Sequence, residues 1–107
     1  MRYKKKLELL NDYVEINRIL LKCKSMIILK LNLDTEKLNK ACNLAIKLKN
    51  IYLEKIKECG MYDDAFITLK KDIDTAVQYN IYTHNLSNST LDGIQSTLDR
   101  LQNNSIS

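Results

Sequence analysis

LDTEKLNKACNLAIKLKNIYLEKIKECG, residues 33–60, carries a helix start, a helix body and a helix stop in one stretch. Asp34 can accept hydrogen bonds from the first free backbone donors, and Leu33 before it pairs with Leu38 as a hydrophobic staple. Glu36 places negative charge in the first turn, where the helix dipole favours it. Leu38, Ala41, Cys42, Ala45, Leu48, Tyr52, Ile56 and Cys59 recur at spacings of three and four, widened by Leu44 and Ile51, so one face of a helix over 35–59 is apolar. Gly60 stands where a left-handed residue ends a helix, and Met61 is placed to touch Ile56. A chain built around this segment is helical.

Upstream, the spacing predicts a helix over 3–29 with two adjacent apolar seams. Leu7, Leu10, Val14, Leu21 and Ile28 form one; Leu9, Tyr13, Ile16, Leu20, Cys23 and Ile27 form the other. Together they make a face wide enough for two neighbours. Glu8, Asn11, Asp12, Glu15, Arg18, Lys22 and Ser25 read as the wet stripe. Asn17 and Lys24 interrupt the first seam, as polar residues that set register in an assembly or as rim residues with buried stems. Leu29 to Leu33 alternates with period two, but a lone strand would have no partner, so an extended connector is expected.

Downstream, a helix over 63–85 starts at Asp63 or Asp64, with Tyr62 and Ile67 as a second staple. Its face is Phe66, Leu69, Ile73, Ala76 and Val77, continuing less cleanly through Ile81. Ser87 or Ser89 caps a last helix over 89–102 with the stripe Leu91, Ile94, Leu98 and Leu101. Gly93 inside it costs about 1 kcal/mol relative to alanine, so that helix relies on docking. Asn103 to Ser107 are expected to fray. The first two helices would each be about 38 Å long. Short connectors make consecutive helices antiparallel neighbours. The expected fold is therefore all-α: one domain over 1–107, an antiparallel up-down helical bundle of three long helices plus a short fourth.

Composition agrees. The 107 residues are 45% apolar and 28% charged, globular values, and the absence of proline with only two glycines argues against a turn-rich β-sandwich. Met1 to Lys6 is followed by Glu8, Asn11, Asp12 and Glu15 rather than a continuous apolar run, so no export signal or membrane span is expected and the cytoplasm is the expected location. Three cysteines at long spacings read as small buried hydrophobes in a reducing compartment. The net charge of +4 conceals a gradient: +5 over residues 1–30, +2 over 31–60 and −3 over 61–107.

No reaction centre is visible. His84 lies among asparagines without a cysteine or carboxylate at ligand spacing, so neither a base nor a metal site is expected, and no cofactor is implied. The two glycines are too far apart for a phosphate-cradling loop. An enzyme is not expected.

What remains is surface. Tyr79 and Tyr82 straddle the weak apolar end of the third helix beside Ile81 and Leu86, and would suit a partner unless the last helix covers them. Met26 to Leu29 leaves no polar face on the first helix, which points to packing against another chain, a homo-oligomer included. Arg2, Lys4, Lys5 and Lys6, extended by Arg18 and Lys22, could grip phosphates or an acidic partner. The same charges also suit a solvated end that pairs with Asp63 and Asp64. The leading expectation is a non-enzymatic protein-binding module, an inhibitor or adaptor of the kind a phage or other mobile element encodes. The alternatives are a nucleic-acid or ribonucleoprotein-associated protein using the basic amino-terminal half, and, by analogy of architecture alone, a bacteriocin-immunity-like bundle.

Overall fold

The computed structural model describes residues 3–106, with four helices: α1 (Tyr3–Ile28), α2 (Thr35–Glu58), α3 (Asp64–Tyr79) and α4 (Asn88–Ile106). Among the described residues there is no strand, and Leu29 to Leu33 is a connector. The molecule is an all-α helical bundle.

The ends of α2 form as their local chemistry dictates. The Asp34 carboxylate accepts from the backbone N–H of Lys37 at 3.2 Å. At the other end Gly60 adopts φ +71°. Its N–H reaches the Lys57 carbonyl at 3.0 Å, and the Met61 N–H reaches that of Ile56 at 3.1 Å. These are the two reversed bonds of a Schellman ending. Asp63 caps α3 by accepting from the Phe66 N–H at 2.9 Å, and Ser87 caps α4 by accepting from the Thr90 N–H at 3.3 Å.

Two helices differ in length from their periodicity. α3 stops at Tyr79 instead of running to residue 85, and α4 continues to Ile106 instead of stopping at 102, so the fourth helix is longer than the third. Charged side chains from other helices explain both. Lys24 donates to the carbonyls of Val77 and Gln78, which closes the last turn of α3. Lys55 donates to the Ser105 carbonyl and holds the end of α4, where fraying was expected.

Neighbour relations also depart from chain order. α1 packs along α2, α3 packs on α1, and α4 packs on α2 with a lighter touch on α1. Among the described residues α3 makes no close backbone approach to α2 or α4. The helices alternate up and down along the chain as expected, but of the consecutive pairs only α1 and α2 lie close together. Tyr13 meets Phe66 (ring centroids 5.5 Å apart) and Lys24 meets Val77, so α3 runs parallel to α1. Asp34 meets Asn88, Lys37 meets Asp92 and Tyr52 meets Leu101, so α4 runs parallel to α2. The breadth of the buried α1 face explains this: the second seam, joined by Asn17, Ile19 and Met26 rather than by the first seam, whose Leu7 and Ile28 stay exposed, takes α2 and α3 side by side. The outcome is a flattened molecule, 43 × 28 × 18 Å, with a radius of gyration of 14.2 Å against about 13 Å for a compact chain of this size.

One core joins the helices. Tyr13, Ile16, Ile19, Leu20, Cys23 and Met26 of α1 meet Leu38, Ala41, Ala45, Leu48, Tyr52 and Ile56 of α2, with Leu91, Ile94, Leu98 and Leu101 of α4. α3 contributes one fully buried side chain, Phe66. Tyr62 packs on Phe66 at 5.4 Å, while Ile67, its expected staple partner, remains 43% exposed. Ser25, placed on the wet stripe by spacing, is fully buried and accepts the Tyr82 N–H at 2.5 Å.

The two glycines make opposite predictions. An added Cβ meets nothing within 4 Å at either position. Gly60→Ala forces a left-handed alanine and should destabilise by about 1–2 kcal/mol. Gly93→Ala removes a helix-interior glycine and should stabilise by about 1 kcal/mol. Urea unfolding followed by circular dichroism reads both signs, and equal shifts would contradict the backbone assignment.

Candidate partner-binding surface

The most unusual surface is apolar and lies at the end where α1 and α3 finish. Ile27 (48% exposed), Ile28 (46%), Leu29 (40%) and Leu31 (38%) follow one another off α1. From the end of α3 and the segment after it come Tyr79 (73%) and Ile81 (49%). Lys24 on the Val77 and Gln78 carbonyls and Ser25 on the Tyr82 N–H tie residues 77–82 to the last turns of α1. The two apolar segments are thereby brought to one end of the molecule.

The remaining expected contact residues divide. Met26 is buried in the core and takes no part in a surface. Leu86 is half-buried against the core. Tyr82 is half-buried, with Lys22 Nζ 5.4 Å from its ring centroid and the exposed His84 edge-on at 6.3 Å. Tyr79, Ile81 and Leu29 stand open.

The described basic residues of α1 have different surroundings. Arg18 pairs with Glu15 at 3.7 Å, and Lys22 lies over Tyr82. Lys6 is half-buried. Arg2 and the side chain of Lys4 lie outside the described residues. Asp63 is engaged as the α3 cap.

Lys5 lines a groove of about 450 Å³ at the opposite end, together with Glu8, Asp12, Tyr52, Lys55 and Glu58. Its charges are mixed and several of its groups already have structural work. The Tyr52 hydroxyl donates to the Leu101 carbonyl at 2.9 Å, and Lys55 holds Ser105. Burial raises the Asp12 pKa, against the opposing pull of Arg100 and the Tyr52 hydroxyl. Burial and the Asp12 charge push the Tyr52 phenol up to about 12. Among the described residues no three His, Cys, Asp or Glu side chains gather to hold a metal ion.

Two polar features were not legible from spacing. Lys49 and Lys70 converge on Asp74 at 2.5 and 2.6 Å, tying α3 to α2 across α1. The thiols of Cys23 and Cys42 influence each other's ionisation across the α1–α2 interface. The second could have been found by counting along an antiparallel pair from a single known contact; the first depends on α3 lying beside α1, which spacing does not reveal.

Among the described residues, no helix is long and apolar enough to cross a membrane. Compared with protein-family models, curated proteins and solved structures, the chain matches none.

The Asp74 cluster has a pH signature. Burial pushes the Asp74 carboxyl up, but the bonds from Lys49 and Lys70 outweigh it and hold its pKa below the ordinary value. A carboxyl depressed on folding adds stability that is present above its unfolded pKa, about 3.9, and is lost as pH falls through the folded value. The stability gap between the wild type and Asp74→Asn should therefore be full at neutral pH and close as the solution is acidified. Urea melts at stepped pH measure it; a gap independent of pH would contradict the assignment.

Proposed function

We propose that the chain is a non-enzymatic protein-binding module, an inhibitor or adaptor that works by covering part of a partner's surface. The observation that supports this reading is the apolar end built from Ile27, Ile28, Leu29, Leu31, Tyr79 and Ile81, each 38–73% exposed. Scattered apolar residues are ordinary on a protein surface, whereas a cluster gathered at one end is characteristic of an interaction site. Tyr79 is the anchor of this surface, since an exposed aromatic side chain offers a large contact area at small entropic cost. The side chains stand on a segment held by Lys24 and Ser25, so little order has to be gained on binding.

The runner-up is a nucleic-acid-associated role through the net charge of +5 over residues 1–30. It requires binding that weakens steeply with salt. Pairing of Arg18 with Glu15 and placement of Lys22 over Tyr82 weigh against it.

Affinity capture from the native host with the wild type and with Ile28→Asp/Ile81→Asp, each with and without nuclease, tests both. Both substituted residues are exposed, so the variant should keep its helical signal. Expected is a protein partner that survives nuclease and is recovered about tenfold less by the variant, as loss of a contact worth roughly 1.4 kcal/mol implies. Equal recovery by the variant, or capture abolished by nuclease, would remove the support. Sedimentation of the purified protein identifies the case in which the partner is a second copy.

A further inference from the structure

The α1–α2 interface holds a pair of sulfurs whose placement follows from helix register. The Tyr52 hydroxyl lies 3.5 Å from Asp12 Oδ2, which sets where the two antiparallel helices face each other. About three turns further, α1 advances from residue 12 to 23 and α2 runs back from 52 to 42, which brings Cys23 to the level of Cys42 along the interface. Cys23 is fully buried and Cys42 is half-buried at the edge of the same core. Ala41 and Ala45, both fully buried, flank Cys42 on α2. Their small side chains let the two backbones approach, as an interhelical disulfide requires.

We propose that Cys23 and Cys42 are an oxidative modification site, forming a disulfide between α1 and α2 when the folded protein meets a low-molecular-weight disulfide such as oxidised glutathione. The half-buried Cys42 reacts first, as its thiolate. It attacks one sulfur of the reagent, the reagent's S–S bond breaks, and the departing half leaves as a thiolate that takes up the proton Cys42 released. Cys23 then gives up its proton and attacks the Cys42 sulfur. The Cys23–Cys42 bond forms, and the second half of the reagent leaves as a thiol carrying that proton. Two protein thiols are oxidised and one reagent disulfide is reduced to two thiols.

The order of events agrees with the local chemistry. The neighbouring Cys23 thiol favours the thiolate on Cys42 and lowers its pKa, against the effect of burial. Cys42, reinforced by burial, raises that of Cys23, so the two thiols ionise as a linked pair with Cys42 as the nucleophile.

The test uses the full chain carrying Cys59→Ser, which removes the third thiol from the α2 C-cap, incubated folded with oxidised glutathione at neutral pH. Intact mass should fall by two hydrogens, and proteolysis should yield one fragment pair joined through residues 23 and 42. Closing the hairpin should shift the unfolding equilibrium toward the folded state on the order of a hundredfold, read by urea melts with and without reductant. Adding Cys42→Ser, a change at the rim of the core, should abolish the link while leaving the helical signal intact. A stable glutathione adduct on Cys42 with no cross-link would overturn the proposal. So would a link that forms only in urea, or an oxidised protein less stable than the reduced one.

Discussion

The antiparallel contact between α1 and α2 is the constraint on which everything else depends. α3 touches α1 and α4 rests mainly on α2, and among the described residues neither approaches the other. Each outer helix therefore docks mainly on one member of the hairpin, and the α1–α2 contact joins the two docked pairs into one core. The hairpin is also the best specified part of the chain. Asp34 and Gly60 set the ends of α2, Leu33 and Leu38 both pack into the core at its start, and Ala41 and Ala45 are fully buried along its length. Local capping and close packing point to the same structure there, which is the consistency that gives a sequence one fold.

The two outer helices are held by different means. α4 buries Leu91, Ile94, Leu98 and Leu101, and the Tyr52 hydroxyl and Lys55 grip its carbonyls, so a helix weakened by Gly93 is well anchored. α3 buries only Phe66 completely, against Tyr13 and Tyr62, adds the half-buried Ile73 and Val77, and is also held by polar contacts: Lys49 on Asp74, and Lys24 at its end. With little apolar area removed from water, α3 should be the first helix to open.

What was legible in the sequence is what short-range chemistry determines. The four helices, the Asp34 and Asp63 caps, the Gly60 ending and the stripe of α2 involve residues within one or two turns of each other. What was not legible is set across the bundle. The end of α3 depends on Lys24, more than fifty residues away, and the end of α4 on Lys55, fifty residues away. Ser25 looked like a solvated residue because spacing cannot foresee that the chain near Tyr82 crosses over it. Likewise the order of neighbours was hidden, since connector length says which helices are joined and the breadth of the α1 face says which ones touch. Of the candidate surface, Tyr79 and Leu29 were recognisable as apolar residues without a place in a stripe, and Ile81 as the ragged continuation of the α3 face. Met26 was misleading for the opposite reason: in the uniformly apolar run from Met26 to Leu29, periodicity cannot choose which side chain turns inward.

The same contacts that end α3 also account for the apolar surface. Had α3 continued to residue 85, its last turn and a half would lie alongside α1 and extend past Ile28 and Leu29, because α3 runs parallel to α1. The Lys24 ammonium on the Val77 and Gln78 carbonyls and the Ser25 hydroxyl on the Tyr82 N–H instead turn the chain out of the helix at Tyr79. Asn80, with φ −89° and ψ 149°, is already extended, and Leu86 returns the chain to the core before α4 begins. Two polar anchors thus do two things at once. They satisfy a helix end that lacks a basic residue of its own, and they leave Ile27 to Leu31 without the helical cover that their composition calls for.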